Sequence, residues 1–290
     1  MIRRRRFRLR LPTRTLALGE RTLVMGVVNV TPDSFSDGGH FYDPDAAIAH
    51  ALALDCAGAD ILDIGGESTR PGAAPVTAQE ELRRILPVLE GVRGRVKAPV
   101  SVDTTKFEVA EAAAAAGAEM LNDVSALRFD TALAEVARRC RLPLILMHMR
   151  GTPRTMQQAP FARDVIADVR SGLRAAVARA VKAGLKRTQL ILDPGIGFGK
   201  SYAQNFELLA RLPELASLGF PLLVGTSRKR FIGATLASDK GELPPGERVW
   251  GTAATVTASI LGGAHIVRVH DVAEMAQVAR MADAVLNARR

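Results

Sequence analysis

Short apolar segments rich in valine, isoleucine and leucine recur along the whole chain, with longer amphipathic segments between them. None of the short segments alternates cleanly between polar and apolar residues, and such continuous runs are typical of parallel strands covered on both faces. We therefore predict a set of buried parallel strands. They span residues 23–29, 61–65, 99–103, 119–123, 143–148, 189–193, 221–226 and 266–270.

The longer segments carry the signals that start helices. Asp43 followed by Pro44 is a capping residue with proline at the first helical position, and Thr77 with Glu80 forms a capping box. Strands that alternate with helices in this way predict an α/β fold, a single (β/α)8 TIM barrel with a short N-terminal hairpin before it. A doubly wound open sheet is the alternative, but no Gly-x-Gly-x-x-Gly follows the first strand.

Polar and charged side chains stand at or near the end of every predicted strand. In chain order they are Asn29; Glu67, Ser68, Thr69 and Arg70; Asp103; Asn122; His148; Asp193; Ser227 with Lys229; and Arg268 with His270. The opposite ends carry mainly glycine, alanine, proline and ordinary surface residues. Because the active sites of (β/α)8 barrels lie at the carboxyl ends of the strands, this asymmetry predicts a site there.

Two groups of these residues indicate the kind of ligand. Arg268 and His270 are two positions apart on one strand, so they share a face and suit an anionic group. Asp103 and Asp193 end apolar strands, where a buried carboxylate needs hydrogen-bond donors. Adjacent N–H groups of a heterocycle are such donors, and Asn122 can both donate and accept. A surface ion pair for Arg268 and a helix cap for Asp103 are the structural alternatives.

Two neighbouring segments refine this prediction. Met147 and Met149 share the face opposite His148, so the methionines suit a wall against a flat ring, and His148 is expected to make a structural hydrogen bond. The glycine-rich segment from Asp193 to Lys200 lacks the spacing of a Walker phosphate loop. A tight loop that lets the backbone approach a ligand fits that segment better.

Together these segments are similar to the dihydropteroate synthase family of pterin-binding enzymes. The resemblance is carried, in order, by the motifs at residues 29–39, 63–72, 101–104, 122–123, 146–149, 193–200, 227–229 and 268–271. This family has a (β/α)8 barrel. With Mg²⁺, it joins p-aminobenzoate to 6-hydroxymethyl-7,8-dihydropterin diphosphate, releases diphosphate and forms 7,8-dihydropteroate. The resemblance therefore implies the same fold, substrates and cofactor for this chain.

The resemblance also implies a role for each motif residue. It implies a pterin diphosphate site of Thr69, Asp103, Asn122, Val124, Met147, Asp193, Lys229, Arg268 and His270; a p-aminobenzoate site of Thr69, Arg70, Pro71, Phe198 and Ser227; a Mg²⁺ ligand, Asn29; and catalytic roles for Asp103, Lys229 and Asp33. The loops around residues 31–41 and 66–76 are expected to close over the substrates. Departure of diphosphate is expected before attack by the amine, in an SN1-like mechanism.

Two other functions stay open at this point. A pterin-binding methyltransferase acting on methyltetrahydrofolate would keep the aspartate and asparagine clamp on the pterin. It would not need both the Arg268 and His270 anion site and the loop at residues 31–39. A non-catalytic pterin-binding paralogue is expected to lack Asp103, Lys229 or Arg268, and all three are present.

Charge narrows the choice of partners. The net charge is +9, and seven arginines within the first 14 residues carry most of that excess. Because no aromatic stacking residues or zinc-ligand spacing accompany them, we interpret the segment as a solvated basic tail and expect no nucleic-acid partner. An arginine-rich transit peptide is the alternative. No apolar run approaches the length of a membrane span, so no membrane association is expected.

Composition shows no internal linker. We therefore divide the chain into a basic N-terminal tail and hairpin, residues 1–19, and a pterin-binding barrel, residues 20–290. Cys56 and Cys140 lie in different predicted helices, which favours reduced thiols in a cytoplasmic protein. The family resemblance implies a homodimer whose partners are otherwise small-molecule substrates.

Overall fold

The computed structural model describes residues 4–31, 43–69, 72–156, 162–239 and 241–288. Its strands are β1 (Phe7–Arg10), β2 (Thr15–Leu18), β3 (Leu23–Asn29), β4 (Ile61–Gly65), β5 (Val100–Asp103), β6 (Met120–Asp123), β7 (Leu144–Met147), β8 (Leu190–Asp193), β9 (Leu223–Val224) and β10 (Ile266–Val269). Its helices are α1 (Pro44–Cys56), α2 (Ala78–Val92), α3 (Phe107–Ala116), α4 (Leu133–Arg139), α5 (Val165–Lys182), α6 (Tyr202–Ala210), α7 (Leu212–Ala216), α8 (Arg230–Thr235), α9 (Val249–Leu261) and α10 (Val272–Asn287).

Strands β3 to β10 form one parallel sheet, and the predicted (β/α)8 barrel is confirmed. The strand order is β8-β7-β6-β5-β4-β3-β10-β9, and a parallel bridge between Leu192 and Leu222 joins β8 to β9. The predicted bounds of β3 and β4 match the structure, and the others differ by one to a few residues at the strand ends. The largest difference is β9, where the ladder covers two residues instead of the six expected.

Side chains separate cleanly onto the two faces of the sheet. The outward residues, such as Val28, Leu62 and Val102, pack with apolar faces of the helices in the large core. The inward residues near the amino ends of the strands, such as Met25, Ile61 and Ile145, form a second apolar cluster inside the barrel. The polar positions therefore lie above an apolar floor, as expected when every strand is buried on both faces.

The N-terminal hairpin closes the amino end of the barrel. Strands β1 and β2 pair antiparallel, and Leu9, Leu11 and Leu18 join the apolar cluster inside the barrel. The prediction of a solvated basic tail was wrong for Arg4, which is buried and donates to Thr22, the carbonyl oxygen of Ala264 and Asp283. A buried guanidinium needs such partners, and the fold supplies them.

Helix starts follow the side-chain chemistry that the sequence contains. The Asp43 carboxylate accepts from the backbone N–H of Asp45, and the Thr77 hydroxyl accepts from that of Glu80, as predicted for helices α1 and α2. Gly117 ends α3 with a φ of 104°, a left-handed conformation that glycine adopts without strain. Among the described helices, none is long and apolar enough to cross a bilayer.

Replacing a buried side chain of the N-terminal hairpin tests how much the stability of the barrel depends on the hairpin. Leu18 is fully buried against the interior cluster, so Leu18→Ala is expected to lower the free energy of unfolding by about 2–5 kcal/mol. Thr15→Ala, on the exposed part of the same strand, is the control and should change it by no more than about 0.5 kcal/mol. Chemical denaturation measures both values. Equal effects would show that the hairpin does not close the barrel core.

Candidate active site

Four neighbouring strands place a row of residues at one end of the barrel. Asn29 is the register partner of Gly65, Gly65 of Asp103, and Asp103 of Asn122. A Cβ on Gly65 would lie 3.2 Å from the Cβ of Asp103, so the glycine leaves room for the carboxylate beside it. The strand ends predicted to meet do meet, and they bring an amide, a carboxylate and a second amide together.

Arg268 joins this row from β10. Its Nε donates to Asp63 over 2.6 Å and its Nη2 donates to Asp103 over 2.9 Å, while the amide nitrogen of Asn122 donates to the same Asp63 oxygen over 3.0 Å. The alternatives of a surface ion pair for Arg268 and a helix cap for Asp103 are therefore wrong. The Thr104 hydroxyl and the Asp130 carboxylate take the backbone N–H groups at the start of α3 instead.

Burial controls the protonation of this network. Removal from water raises the pKa of Asp103 to about 8; Arg268 opposes the rise, and the negative charge of Asp63 adds to it. Burial also works against the charge of Arg268, but the carboxylates of Asp63 and Asp103 outweigh it and raise the pKa of the guanidinium. Arg268 is thus a permanent cation, whereas Asp103 titrates close to neutral pH.

Asp193 and Lys229 form a second charged pair at the same end. Burial raises the pKa of Asp193, an effect that Lys229 opposes, and burial lowers the pKa of Lys229 to about 8. One Asp193 oxygen accepts from the backbone N–H of Gly195 over 2.7 Å. The Lys229 ammonium donates to the carbonyl oxygen of Ile196 and lies 4.7 Å from the centre of the Phe198 ring. The loop after β8 therefore holds both charges.

An apolar wall stands beside these charges. Val124, Met147, Met149 and Met156 form a buried cluster of their own, and Phe198 packs against it. The prediction that both methionines share a face that suits a flat ring agrees with this cluster. The wall brings together two predicted pterin contacts and one predicted p-aminobenzoate contact.

Ser227 and His270 meet at the ends of the last two strands. The Ser227 hydroxyl oxygen accepts from the backbone N–H of His270 over 3.1 Å and lies 2.9 Å from the Nδ1 of its ring. The predicted p-aminobenzoate contact and the predicted anion contact thus orient each other. The structure ends β10 at Val269, so His270 follows the strand directly, and the predicted face shared with Arg268 stays a prediction.

The sequence analysis missed Lys200, which braces the loop after β8. Its side chain is 1% exposed, and Nζ donates to the carbonyl oxygens of His148, Gly195 and Phe198 over 3.1, 2.9 and 2.9 Å. Burial lowers the pKa of Lys200 to about 7. A lysine that closes a glycine-rich segment was the available signal. By fixing these carbonyls, Lys200 fixes where Phe198 stands.

His148 has a structural role, as predicted. Its ring points outward from β7, where a Cβ on Gly172 of α5 would lie 2.4 Å from it, and Lys200 Nζ lies 3.1 Å from its Nδ1. Burial lowers the pKa of His148 to about 2, so the ring is neutral. The glycines of the loop follow the same logic, because a Cβ on Gly195 would lie 2.0 Å from the carbonyl oxygen of His148.

The sequence analysis also missed Asp63, although it named the motif that contains it. The side chain is fully buried in an otherwise apolar strand, and it accepts from both Arg268 and Asn122. A buried charge has to find partners, so its place in that strand was the signal. Three carboxylates and two cations therefore line this end of the barrel: Asp63, Asp103, Asp193, Lys229 and Arg268.

Some predicted residues lie outside this description. Asp33, Arg70 and Pro71 are not among the described residues, and neither is most of the predicted closing loop at 31–41. Thr69 and Asn29 are described and half-buried. Cavities of about 430 and 440 Å³ lie on the outer wall along α5, and neither is lined by a predicted site residue. The polar side chains, not these cavities, locate the candidate site.

Comparisons with known proteins agree with this geometry. A family model described as pterin binding enzyme matches residues 25–270. Dihydropteroate synthase from Synechocystis is 51% identical over 267 residues, which cover 92% of this chain and 91% of that protein. The Escherichia coli dihydropteroate synthase is 47% identical over 266 residues, covering 92% of each chain.

Solved structures give the same result. A Xanthomonas albilineans dihydropteroate synthase with 4-aminobenzoic acid superposes with a TM-score of 0.89 at 47% identity, over 98% of this chain and 99% of that one. A structure of the enzyme from the same organism in complex with 7,8-dihydropteroate has a TM-score of 0.85 at 45% identity, over 97% and 99% of the two chains. Fold, motif positions and identity over nearly the full length coincide, and the chain therefore belongs to the dihydropteroate synthase family.

Proposed function

We propose that this dihydropteroate synthase works through the charged network at the strand ends, by an SN1-like condensation. In this reaction the bond between the pterin methylene carbon and diphosphate breaks, and both bonding electrons leave with the diphosphate oxygen. The amine of p-aminobenzoate then attacks the methylene carbon and loses a proton to solvent. The observation that carries the proposal is the meeting of Asp103, Asn122, Asp193, Lys229 and Arg268 at one rim.

In this proposal the protein contacts both the polar edge and the flat faces of the pterin ring. Asp193 and Asn122 offer acceptors to the N–H groups of its polar edge, and Lys229 offers a donor. Val124 and Met147 are proposed to pack along the ring faces, and the apolar cluster that they form beside the charges supports this. Thr69 completes the predicted set. Burial of the carboxylates makes hydrogen-bond donors on the ligand especially favourable there.

Cationic groups assist departure of the diphosphate. Arg268 is fixed as a cation in the network, and His270 follows two residues later, directly after the end of β10. Arg268 can meet the leaving anion with its charge and His270 with a ring nitrogen, and preorganised groups of this kind are a usual source of transition-state stabilisation. The predicted role of these two residues in binding diphosphate stays part of this proposal.

Asn29 suits a magnesium ion that also binds substrate. The described residues contain no group of three or more histidine, cysteine, aspartate or glutamate side chains able to hold a metal. Mg²⁺ commonly takes one or two protein oxygens, several waters and substrate phosphate oxygens, so the amide oxygen of Asn29 at the end of β3 fits that donor set. When bound, the ion would neutralise charge on the diphosphate.

Ionised Asp103 stabilises the methylene cation, and p-aminobenzoate needs little activation. The aryl amine is neutral at pH 7 and already nucleophilic, so a strong general base is not required. Phe198 and Ser227, with Arg70 and Pro71, are proposed to hold p-aminobenzoate. Asp33 and the loops at residues 31–41 and 66–76 are proposed to close the site and exclude water, which would otherwise capture the cation.

An assay of product formation tests the proposal. Purified protein given p-aminobenzoate, the pterin diphosphate and Mg²⁺ should release one diphosphate for each 7,8-dihydropteroate formed. Omitting Mg²⁺ or p-aminobenzoate should abolish product. Pterin binding without diphosphate release would support a non-catalytic paralogue, and methyl transfer from methyltetrahydrofolate would support the methyltransferase.

Asp103→Asn separates binding from turnover. We expect kcat to fall on the order of 100-fold while pterin diphosphate affinity changes only a few-fold, because the carboxylate acts mainly on the cation. The pKa of Asp103 is raised to about 8, so wild-type turnover should rise with pH towards that value, and Asp103→Asn should lose the rise. Deprotonation of Lys229, also near 8, should lower turnover above it.

Asp130→Asn is the matched control for this substitution. Asp130 accepts from the backbone N–H of Phe107, after the same strand, and from that of Ala132, and it has no bond to Arg268 among the described contacts, so its replacement should leave the pH profile unchanged. Equal losses of turnover and pterin affinity in Asp103→Asn would contradict the cation-stabilising role.

We also propose a homodimer, formed through an exposed apolar patch. The patch comprises Tyr202, Phe206, Leu236, Trp250, Met281 and Val285, on α6, after α8, and on α9 and α10. Trp250 is 81% exposed, and α9 packs against both α6 and α10, so these side chains lie on one side of the barrel. Several large apolar side chains exposed on one side of a protein are typical of an interface.

Trp250→Lys is expected to convert the homodimer to a monomer, because it replaces the most exposed side chain of the patch with a charge that the interface would have to bury. Val181→Lys, at an exposed apolar position on α5 outside the patch, is the control and should leave the dimer intact. Light scattering after size-exclusion chromatography measures the mass. A wild-type monomer, or a Trp250→Lys dimer, would contradict the proposal.

Location and domain division belong to the same proposal. The thiols of Cys56 and Cys140 are both free, which supports a reducing, cytoplasmic environment. Residues 20–290 are proposed as the pterin-binding barrel and residues 1–19 as its basic N-terminal segment. Arg4 and Arg14 of that segment pair with Asp283 and Glu119, so part of its charge is neutralised by the fold, which supports the absence of a nucleic-acid partner.

A further inference from the structure

Asp63 occupies a position that packing alone does not explain. On the same face of β4, Ile61 belongs to the apolar interior cluster, yet the next inward side chain is a fully buried carboxylate. Within the part of the chain that the structure describes, one of its oxygens, Oδ1, has no hydrogen-bond partner, and neither does the buried hydroxyl of Ser101, its register partner on β5. Apolar residues in place of a buried ion pair are often equally or more stabilising, so stability is a poor reason for this carboxylate.

The other Asp63 oxygen fixes the direction of Arg268. A guanidinium presents its donors in a rigid plane, so two anchored nitrogens define the whole group. Nε is held by Asp63 and Nη2 by Asp103. Among the described residues Nη1 makes no hydrogen bond. Arg268 therefore keeps donors for a further anion only while its other edge is held.

The same oxygen also fixes the direction of Asn122. A carboxylate only accepts, so the amide nitrogen of Asn122 must face Asp63, as the 3.0 Å contact shows. The carbonyl oxygen of that amide then faces away from Asp63. Without the contact, the amide could rotate and present its nitrogen where its oxygen now stands.

We propose that Asp63 is a positioning residue for this reaction: it aims Arg268 at the diphosphate and turns the acceptor oxygen of Asn122 towards the N–H groups of the pterin. The inference rests on the proposed function, since it names a residue that acts through two of the proposed substrate contacts. It assigns Asp63 no contact with substrate.

Equilibrium binding of 6-hydroxymethyl-7,8-dihydropterin diphosphate tests the proposal. Asp63→Asn removes the charge that holds Arg268 but keeps an acceptor for Asn122. We expect affinity to fall about tenfold, the scale on which a residue that orients a ligating group acts. The KM for p-aminobenzoate should stay within about twofold, since Asp63 does not touch Phe198 or Ser227.

A double-mutant cycle shows whether Asp63 acts through Arg268. In an Arg268→Gln background, adding Asp63→Asn should cost no further affinity, whereas adding Asp63→Ala should, because Asn122 then loses its partner. A further tenfold loss from Asp63→Asn in that background would overturn the role toward Arg268. Equal affinities for the Asn and Ala double variants would overturn the role toward Asn122.

The pH profile supplies a readout that a purely structural role would not move. The charge of Asp63 raises the pKa of Asp103, so Asp63→Asn should shift the rising limb of turnover to lower pH. Ser101→Ala is the matched control: it removes a buried, inward hydroxyl from the neighbouring strand that bonds neither Arg268 nor Asn122. It should shift neither the limb nor the affinity.

Folding failure does not remove the test. If Asp63→Asn alone, which leaves Arg268 with Asp103 as its remaining carboxylate partner, does not fold, the double variants carry no buried guanidinium, and their comparison with Arg268→Gln decides the question. Binding of the pterin diphosphate by the wild-type protein distinguishes failure of the proposed function from failure of the positioning role. A wild type that does not bind the pterin diphosphate refutes the proposed function, whereas a wild type that binds and an additive cycle refute only the positioning role.

Discussion

One guanidinium, that of Arg268, holds the end of the barrel together as a site. It bonds carboxylates from two other strands, Asp63 and Asp103, and through Asp63 it is linked to the amide of Asn122. These groups are expensive to bury, and each is tolerable only because the others are in place. The requirement that opposite charges meet therefore fixes the strand ends relative to one another, and with them the shape of the site.

The rest of the fold serves to make that burial feasible. The hairpin and the inward apolar residues fill the amino end of the barrel. The charged residues at the other end therefore lie above an apolar cluster. Lys200 ties the loop after β8 to the end of β7 through three carbonyl oxygens. Low polarity strengthens electrostatic interaction and moves the pKa of Asp103 and Lys229 to about 8 from opposite directions. Burial of these two side chains therefore brings their changes of protonation close to neutral pH.

Much of this architecture could be predicted because it depends on local patterns. Continuous apolar runs revealed the eight strands, and the polar residues that end them revealed which end of the barrel carries the site. The short β9 ladder was missed, since strand length depends on hydrogen bonding to neighbours. The prediction from charge composition was wrong for Arg4. In the sequence it belongs to a run of arginines typical of a solvated tail, but in the fold it pairs with Asp283, near the other end of the sequence.

The sequence analysis missed Asp63 and Lys200 for the same reason. Asp63 acts through Arg268 and Asn122, which are distant in sequence. Lys200 holds two carbonyl oxygens of its own segment, but it also holds that of His148 on another strand end, which the segment does not reveal. A charged residue inside or beside an apolar or glycine-rich run is a signal of burial, but only the folded barrel identifies the partner. Site residues that touch substrate are thus easier to predict from motifs than the residues that position them.

The central claim is that the charged network at the strand ends binds the pterin and its departing diphosphate. A crystal structure of the protein with 6-hydroxymethyl-7,8-dihydropterin diphosphate tests it most directly. The account predicts the heterocycle with its polar edge on Asn122, Asp193 and Lys229, its methylene carbon beside Asp103, and the diphosphate against Arg268 and His270. A heterocycle bound elsewhere, for example in the outer cavities along α5, would contradict it.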